Sequence, residues 1–190
     1  MLDKRQQQIL AVRNQVMQNR KVLCTGNPDR EGTIASAVKK IWPETTFIHL
    51  SNGFDLKNIS SVEDKLKKLF QTHNTFINAS YLGGIQIKLL ELCHQHMPIG
   101  EVYNIGSTNE YDGLGSETYK NNKIKLRQTS LKLNSFRFQT THIVMGGIDT
   151  GKPETESWVK PIKIVEMIKW VTEQDVKIPI IGIDQRKQPW

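Results

Sequence analysis

Apolar and polar positions along this chain follow two rhythms, and the rhythm switches at regular intervals. Leu2, Ile9, Val12 and Val16 recur at helical spacing among Lys, Arg, Gln and Asn, which predicts a helix over residues 1–19 with one narrow apolar stripe. Such a helix packs on the body or on another subunit, or frays as a tail. Val22-Leu23-Cys24 is a short buried-strand pattern, and a polar, glycine-containing loop leads from it into a helix over Ser36 to Trp42 that Pro43 stops. Thr46 to Leu50 reads as the second strand, and Gly53 to Leu56 as another short strand or turn. Val62 to Phe70 follows as a helix with Leu66 and Leu69 inward. Thr75 to Ala79 is the next strand, Ile85 to His96 a strongly apolar helix and Glu101 to Gly106 a strand. A long helix over Tyr119 to about Ser135, a strand over His142 to Met145, a helix over Pro161 to Val171 and a closing strand over Ile178 to Ile183 complete the pattern.

Strand and helix alternate throughout, which predicts βαβ units, right-handed crossovers and a parallel sheet covered on both faces. The fold class is therefore α/β, a doubly wound three-layer sandwich of Rossmann type. Residues 1–20 are expected as an N-terminal helical extension and 21–190 as one domain.

Composition narrows the class. With 37% apolar and 24% charged residues, 190 residues suffice for an ordinary hydrophobic core. The two cysteines, Cys24 and Cys93, fall inside apolar segments, which suggests neither a disulfide framework nor a zinc site and makes a reducing cytoplasm the simplest home. The N-terminus lacks the apolar core of a signal peptide, and no apolar run approaches a membrane span. The net charge of +7 is spread along the chain without a dense basic block, so a solvated surface explains it better than nucleic-acid binding, and an anionic cofactor suits such a field.

Three segments carry candidate chemistry. Thr25-Gly26-Asn27-Pro28-Asp29-Arg30-Glu31-Gly32 turns from a strand into a helix, which places backbone N–H groups and the positive helix end against a phosphate. Ser107 stands at the end of an apolar run, and Tyr119 and Lys123, four residues apart, share one helix face. A hydroxyl, a phenol and a lysine together can polarise a carbonyl and pass it a proton. A free phenol titrates near pH 10, and an adjacent ammonium favours the phenolate. Gly146 to Lys152 spells the front of a Walker phosphate loop, but Pro153 stands where Ser or Thr would bind magnesium, which argues against a triphosphatase. His94 and His96 lie two apart, face different ways and read as ordinary helix residues rather than metal ligands, so no metal is expected.

The order of these motifs resembles the short-chain dehydrogenases/reductases. Thr25, Gly26 and Gly32 resemble that family's T-G-x-x-x-G-x-G, with Arg30 where the middle glycine usually stands. Asp55-Leu56 resembles the pair that meets the adenine, and Asn78-Ala79 with Ser80 resembles N-A-G. Ser107, Tyr119 and Lys123 are placed like the catalytic serine and Y-x-x-x-K, and Gly146 to Thr150 resembles G-x-[IV]-x-T. The resemblance covers residues 21–185 and implies an NAD(P)-dependent oxidoreductase acting on a small carbonyl or alcohol substrate. Ser107, Tyr119 and Lys123 would be catalytic. The implied cofactor contacts are Thr25, Gly26, Asn27, Arg30, Glu31, Gly32, Asp55, Leu56, Asn78, Ala79, Ser80, Tyr119, Lys123, Gly146, Ile148 and Thr150. It also implies a homodimer or homotetramer through the helices at 85–96 and 119–135.

The departures are specific. The segment that carries the family's fourth catalytic residue, an asparagine in the helix after N-A-G, is missing or compressed, which leaves that residue unassigned with Asn78 a conceivable stand-in; one crossover helix is expected to be absent, and the segment after Thr150 is short. NADP(H) is preferred over NAD(H), because the second strand ends in Leu50-Ser51-Asn52 without a carboxylate, and Ser51, Asn52 and Arg30 can bind a 2′-phosphate. A catalytically idle dinucleotide-binding or interaction module on the same fold is the alternative.

Overall fold

The computed structural model describes residues 3–112, 115–151, 155, 158–174 and 176–183, and its six strands lie in one all-parallel sheet. Strand β1 (Val22–Thr25) leads through the glycine loop to helix α2 (Ile34–Ile41), and β2 (Thr46–Ile48) pairs on one side of β1. The chain then returns through helix α3 (Glu63–Thr72) to β3 (Thr75–Asn78) on the other side of β1. From there it proceeds outward through α4 (Ile85–His96), β4 (Gly100–Ile105), a single turn α5 (Asn109–Asp112), α6 (Glu117–Leu133), β5 (Phe138–Met145), α7 (Pro161–Thr172) and β6 (Ile180–Ile183). The order β2-β1-β3-β4-β5-β6 reverses direction at β1 and β3, and such a reversal opens a crevice beyond the C-terminal strand ends.

Pleating sorts the core into two layers, because successive side chains leave opposite sheet faces. Val22, Cys24, Ile77, Tyr103, Ile105, Ile143 and Met145 pack under α2 and α7. Leu23, Phe76 and Val102 pack on the other face under α3, α4 and α6, with Leu66, Phe70, Leu89, Leu90 and Leu126. Strands enclosed on both faces read as continuous apolar runs, as β1, β3 and β4 do.

Several boundaries differ from the expectation. The second strand stops at Ile48, and Leu50–Asn52 form a 3-10 turn in which Leu50 is 72% exposed. Gly53 to Leu56, expected as a short strand or turn, is the turn, with Leu56 opening a second 3-10 segment (Leu56–Ser61). Phe70 joins Leu66 in the core with Leu69 partly buried against them, and α5 was not foreseen. Among the described residues a single strand flanks β1 on that side, so one crossover unit is absent there.

Helix α1 (Lys4–Gln18), capped by Asp3 and Gln6, lies at the N-terminal end of the sheet. Asn74 fastens it, donating to the carbonyls of Val16 and Asn19 at 3.0 and 2.9 Å and accepting from the Lys21 N–H at 2.8 Å. Arg13 and Arg20 both pair with Glu101 at the start of β4. Among the described residues no helix is long and apolar enough to cross a membrane.

Candidate active site

The crevice is built first by Thr25. Its hydroxyl oxygen accepts the N–H groups of Ala79 and Ser80 at 2.8 and 2.9 Å, which joins the C-terminal ends of β1 and β3 across the switch point. The glycine loop follows, and both of its framework glycines are required by geometry. Gly26 has φ +124°, and a Cβ there would stand 3.0 Å from the Ala35 Cβ. Gly32 has φ +68°, and a Cβ there would sit 2.6 Å from the Thr150 carbonyl oxygen, so the loop lies directly on the segment after β5. Thr33 caps α2 reciprocally with Ser36, and its hydroxyl donates to the Arg30 carbonyl at 2.8 Å. Asp29 pairs with Lys39 at 2.9 Å on the exposed side, which draws its carboxyl below the usual range.

A cavity of about 340 Å³ over this loop is lined by Thr25, Gly26, Asn27, Arg30, Gly32, Ala79, Ser80, Ile148 and Thr150, among others. It shares Ala79 and Ile148 with a second cavity of about 300 Å³. The second is lined by Ser107, Tyr119, Lys123 and Gly146, together with Tyr81, Ile105, Met145 and Gly147. Trp158 lies flat on Gly147, where a Cβ would come within 2.3 Å of the indole.

Six candidates lie outside this groove. Glu31 is exposed and lines neither cavity. Ser51 bonds the His49 ring at the exposed 3-10 turn, and the Asn52 amide donates to the Phe47 carbonyl at 3.1 Å. Asp55 caps the turn by accepting from the Lys57 N–H, and Leu56 is buried in the core. Asn78 lies beneath the groove floor, where its amide donates to the Asn104 side chain at 2.9 Å and to the Gln86 carbonyl at 2.8 Å.

Helix α6 presents Tyr119 and Lys123 on one face, with Ser116 as N-cap. The Lys123 ammonium is buried, 2.8 Å from the Gln86 side-chain oxygen and 2.7 Å from the Ile105 carbonyl, to both of which it donates. It also lies over the rings of Tyr81 and Tyr119, 5.3 and 5.5 Å from their centroids, and the two rings meet edge to face. Burial lowers the lysine pKa to about 7, against an opposing pull from the charge of Glu110. Tyr119 moves upward, chiefly by burial, although the Ser107 hydroxyl hydrogen-bonds the phenol and favours its ionised form. The expected lowering of the phenol by its neighbour is therefore outweighed by desolvation, since the ammonium is spent on Gln86 and Ile105.

Sequence reasoning did not single out Gln86, Asn104, Glu110, His142 or Tyr81. Gln86 was legible as one polar side chain inside the apolar run of α4, and Ser107-Thr108-Asn109-Glu110 has the Ser-x-x-Glu spacing of a helix-capping box. Among the described residues no group of three or more His, Cys, Asp or Glu is disposed to hold a metal ion.

The six-stranded parallel sheet flanked by helices has counterparts among solved structures. The fold is that of the short-chain dehydrogenases/reductases. Serine dehydrogenase from Escherichia coli superposes with a TM-score of 0.61 at 18% identity, covering 96% of this chain and 94% of that one. A β-ketoacyl-[ACP] reductase from Bacteroides thetaiotaomicron gives 0.63 at 13% identity, with 88% and 98% covered. A short-chain dehydrogenase from Burkholderia cenocepacia J2315, solved in complex with NADP, gives 0.61 at 12% identity, with 86% and 88% covered. No protein-family model and no curated protein sequence matches the chain. The short-chain dehydrogenase/reductase fold is thus expressed here with one flanking strand beyond β1.

Proposed function

We propose that this protein is an NAD(P)-dependent oxidoreductase that exchanges hydride between a nicotinamide and a small carbonyl or alcohol substrate. The observation that carries this reading is the adjacency of the two cavities, one over the glycine loop and one lined by Ser107, Tyr119 and Lys123, which share Ala79 and Ile148 in their walls. A dinucleotide fits the residues present, because the cavity over the glycine loop runs along Gly26 and Gly32 to the capped N-terminus of α2 at Thr33 and Ile34. When bound, the nicotinamide supplies the hydride chemistry.

The chain's own groups do the rest. Ser107 hydrogen-bonds the substrate oxygen and orients it. Tyr119 delivers the proton to that oxygen on reduction or takes it on oxidation. Lys123 holds its positive charge beside the phenol and would meet the cofactor ribose, moving part of its hydrogen bonding away from Gln86. Thr25, Gly26, Asn27, Arg30, Gly32, Ala79, Ser80, Gly146, Ile148 and Thr150 are the groove residues assigned to the dinucleotide.

NADP(H) is the assigned preference. Arg30 is exposed at the groove mouth, and its acidic neighbour Asp29 is already paired with Lys39, which leaves the guanidinium to a 2′-phosphate. The proposal extends to assembly as a homodimer or homotetramer through α4 and α6. The apolar side chains these helices leave outward are few, however: Ile87, Leu89, Leu90 and Leu126 are buried within one chain, and Leu131 is 42% exposed.

Titration calorimetry with NADPH and NADH, followed by a carbonyl-reduction screen with the bound cofactor, tests the reading. Absence of binding by either dinucleotide sinks it. The second reading, an idle dinucleotide-binding module, is favoured by the engagement of Lys123 with Gln86 and Ile105, and it would show binding without turnover.

A further inference from the structure

Directly behind Ser107 lies a buried acid–base pair that the reaction outlined above does not use. Glu110, on the single turn α5, has a fully buried carboxylate. Its Oε1 accepts the Ser107 backbone N–H at 3.0 Å and stands 2.7 Å from Nε2 of His142, which is itself fully buried on β5. Its Oε2 lies 3.3 Å from Nε of Arg127 on α6. Gly106 makes the room, since a Cβ there would be 2.3 Å from His142 Nε2 and 2.7 Å from Glu110 Oε1.

The charge states follow from the hydrogen-bond inventory. His142 Nδ1 is buried with no hydrogen-bond partner among the described residues. A proton there would leave a desolvated cationic N–H without an acceptor, whereas a bare ring nitrogen costs less. His142 is therefore neutral and donates through Nε2, and Glu110 is the carboxylate that receives it, with Arg127 as counter-ion.

A capping box explains only the Ser107 contact. It requires neither a buried imidazole underneath nor an arginine on the far helix. Arg127 continues the face of α6 that carries Tyr119 and Lys123, at four-residue steps, and it also bonds the Tyr111 hydroxyl and covers the Tyr111 ring at 4.7 Å. One carboxylate thus ties the Ser107 loop to the helix bearing the other two reactive groups.

We propose that Glu110, oriented by His142 and Arg127, is the positioning residue that holds Ser107 in register with Tyr119 and sets a buried negative charge against Arg127, one helical turn from Lys123. The charged and titratable groups that face it are His142 from β5, Arg127, Lys123 and Tyr119 from α6, and Tyr111 on its own turn. Its charge opposes both loss of the Lys123 proton and ionisation of Tyr119. The proposal rests on the oxidoreductase reading for its effect on turnover, and its effect on Lys123 can be read without turnover.

The test uses the full chain and two variants. Glu110→Gln keeps the shape and removes the charge, while Glu110→Asp keeps the charge and shortens the reach to Ser107 and His142. In carbon-labelled lysine spectra, with the Lys123 signal identified through Lys123→Arg, the Lys123 midpoint is expected to fall in Glu110→Gln and to stay in place in Glu110→Asp. Both variants are expected to lose roughly ten- to a hundredfold in kcat, with KM for the cofactor within about twofold. The pH profile is expected to move downward in Glu110→Gln alone. A lowered melting temperature with the wild-type midpoint, kcat and pH profile would reduce Glu110 to a helix cap and overturn the proposal. Should Glu110→Gln not fold, Glu110→Asp decides, and wild-type kcat there overturns the positioning role. Should wild-type protein show no dinucleotide binding, the oxidoreductase reading fails, and an unmoved Lys123 midpoint in Glu110→Gln separately defeats this one.

Discussion

The Lys123 ammonium donates to the Gln86 side-chain oxygen at 2.8 Å, so helix α4 reaches across the groove floor to hold the lysine of α6. The same glutamine donates to the Asn78 and Ile105 carbonyls, at 2.7 and 3.3 Å. Gln86→Leu would strip a buried ammonium of one of its two acceptors, an unpaired group that costs about 1–3 kcal/mol. The expected outcome is a lower Lys123 midpoint and a lower melting temperature. Gln86→Glu should do the reverse to the midpoint, since an adjacent carboxylate favours the charged amine. Labelled-lysine titration checks both, and equal midpoints in the two variants would contradict the assignment.

Tyr119→Phe is expected to abolish carbonyl reduction while folding and dinucleotide binding stay nearly intact, because only the phenolic oxygen is removed. Lys123→Ala should lose turnover and cofactor affinity together. Steady-state kinetics paired with calorimetry separates the two patterns. Substantial reduction by Tyr119→Phe rules out its role as proton donor.

Stability should depend on pH through Lys123. Its folded pKa is lowered from 10.5 to about 7, so between those values the unfolded chain holds a proton that the folded chain has released. Stability from this group therefore rises with pH across that window, and below about pH 7 the full cost of burying the charge is present. Lys123→Met should flatten that rise. Melting temperatures from pH 6 to 9 in both proteins provide the comparison, and parallel curves would exclude the lysine as its source.

Gly32→Ala should destabilise the groove more than an ordinary loop substitution. The left-handed backbone alone costs about 1–2 kcal/mol for a residue with a side chain, and the new methyl would collide with the Thr150 carbonyl oxygen at 2.6 Å. A lower melting temperature with weakened dinucleotide binding is expected. Unchanged binding would place the phosphates elsewhere.

Arg30→Ala is expected to weaken NADPH by roughly ten- to a hundredfold, the worth of one charge-assisted contact, and to leave NADH nearly unchanged. Calorimetry with both reduced cofactors gives the answer. Tighter NADH binding by the wild-type protein, or no loss for NADPH in the variant, would reverse the assigned preference.

What the sequence made legible was local. Thr25, Gly26 and Gly32 follow a strand within one short loop, and Tyr119 and Lys123 are one helical turn apart, so spacing alone brought them to view. The contacts that organise the floor are not local. Lys123 meets Gln86 across 37 positions and Glu110 meets His142 across 32, and no periodicity couples residues so far apart. Ser51 and Asn52 were placed at a strand end because Leu50 extends the apolar run, yet Leu50 is an exposed side chain on a turn.

Trp158, seated on the bare backbone of Gly147, has a further consequence. The indole is 37% exposed and packs on Gly147, which lines the cavity that holds Tyr119 and Lys123, while Ile148 pairs with its neighbour Val159. Of the four tryptophans in the chain, Trp158 is the one that, among the described residues, packs on a glycine of the groove wall, so its emission, isolated by replacing the other three with Phe, offers a label-free reading of that wall.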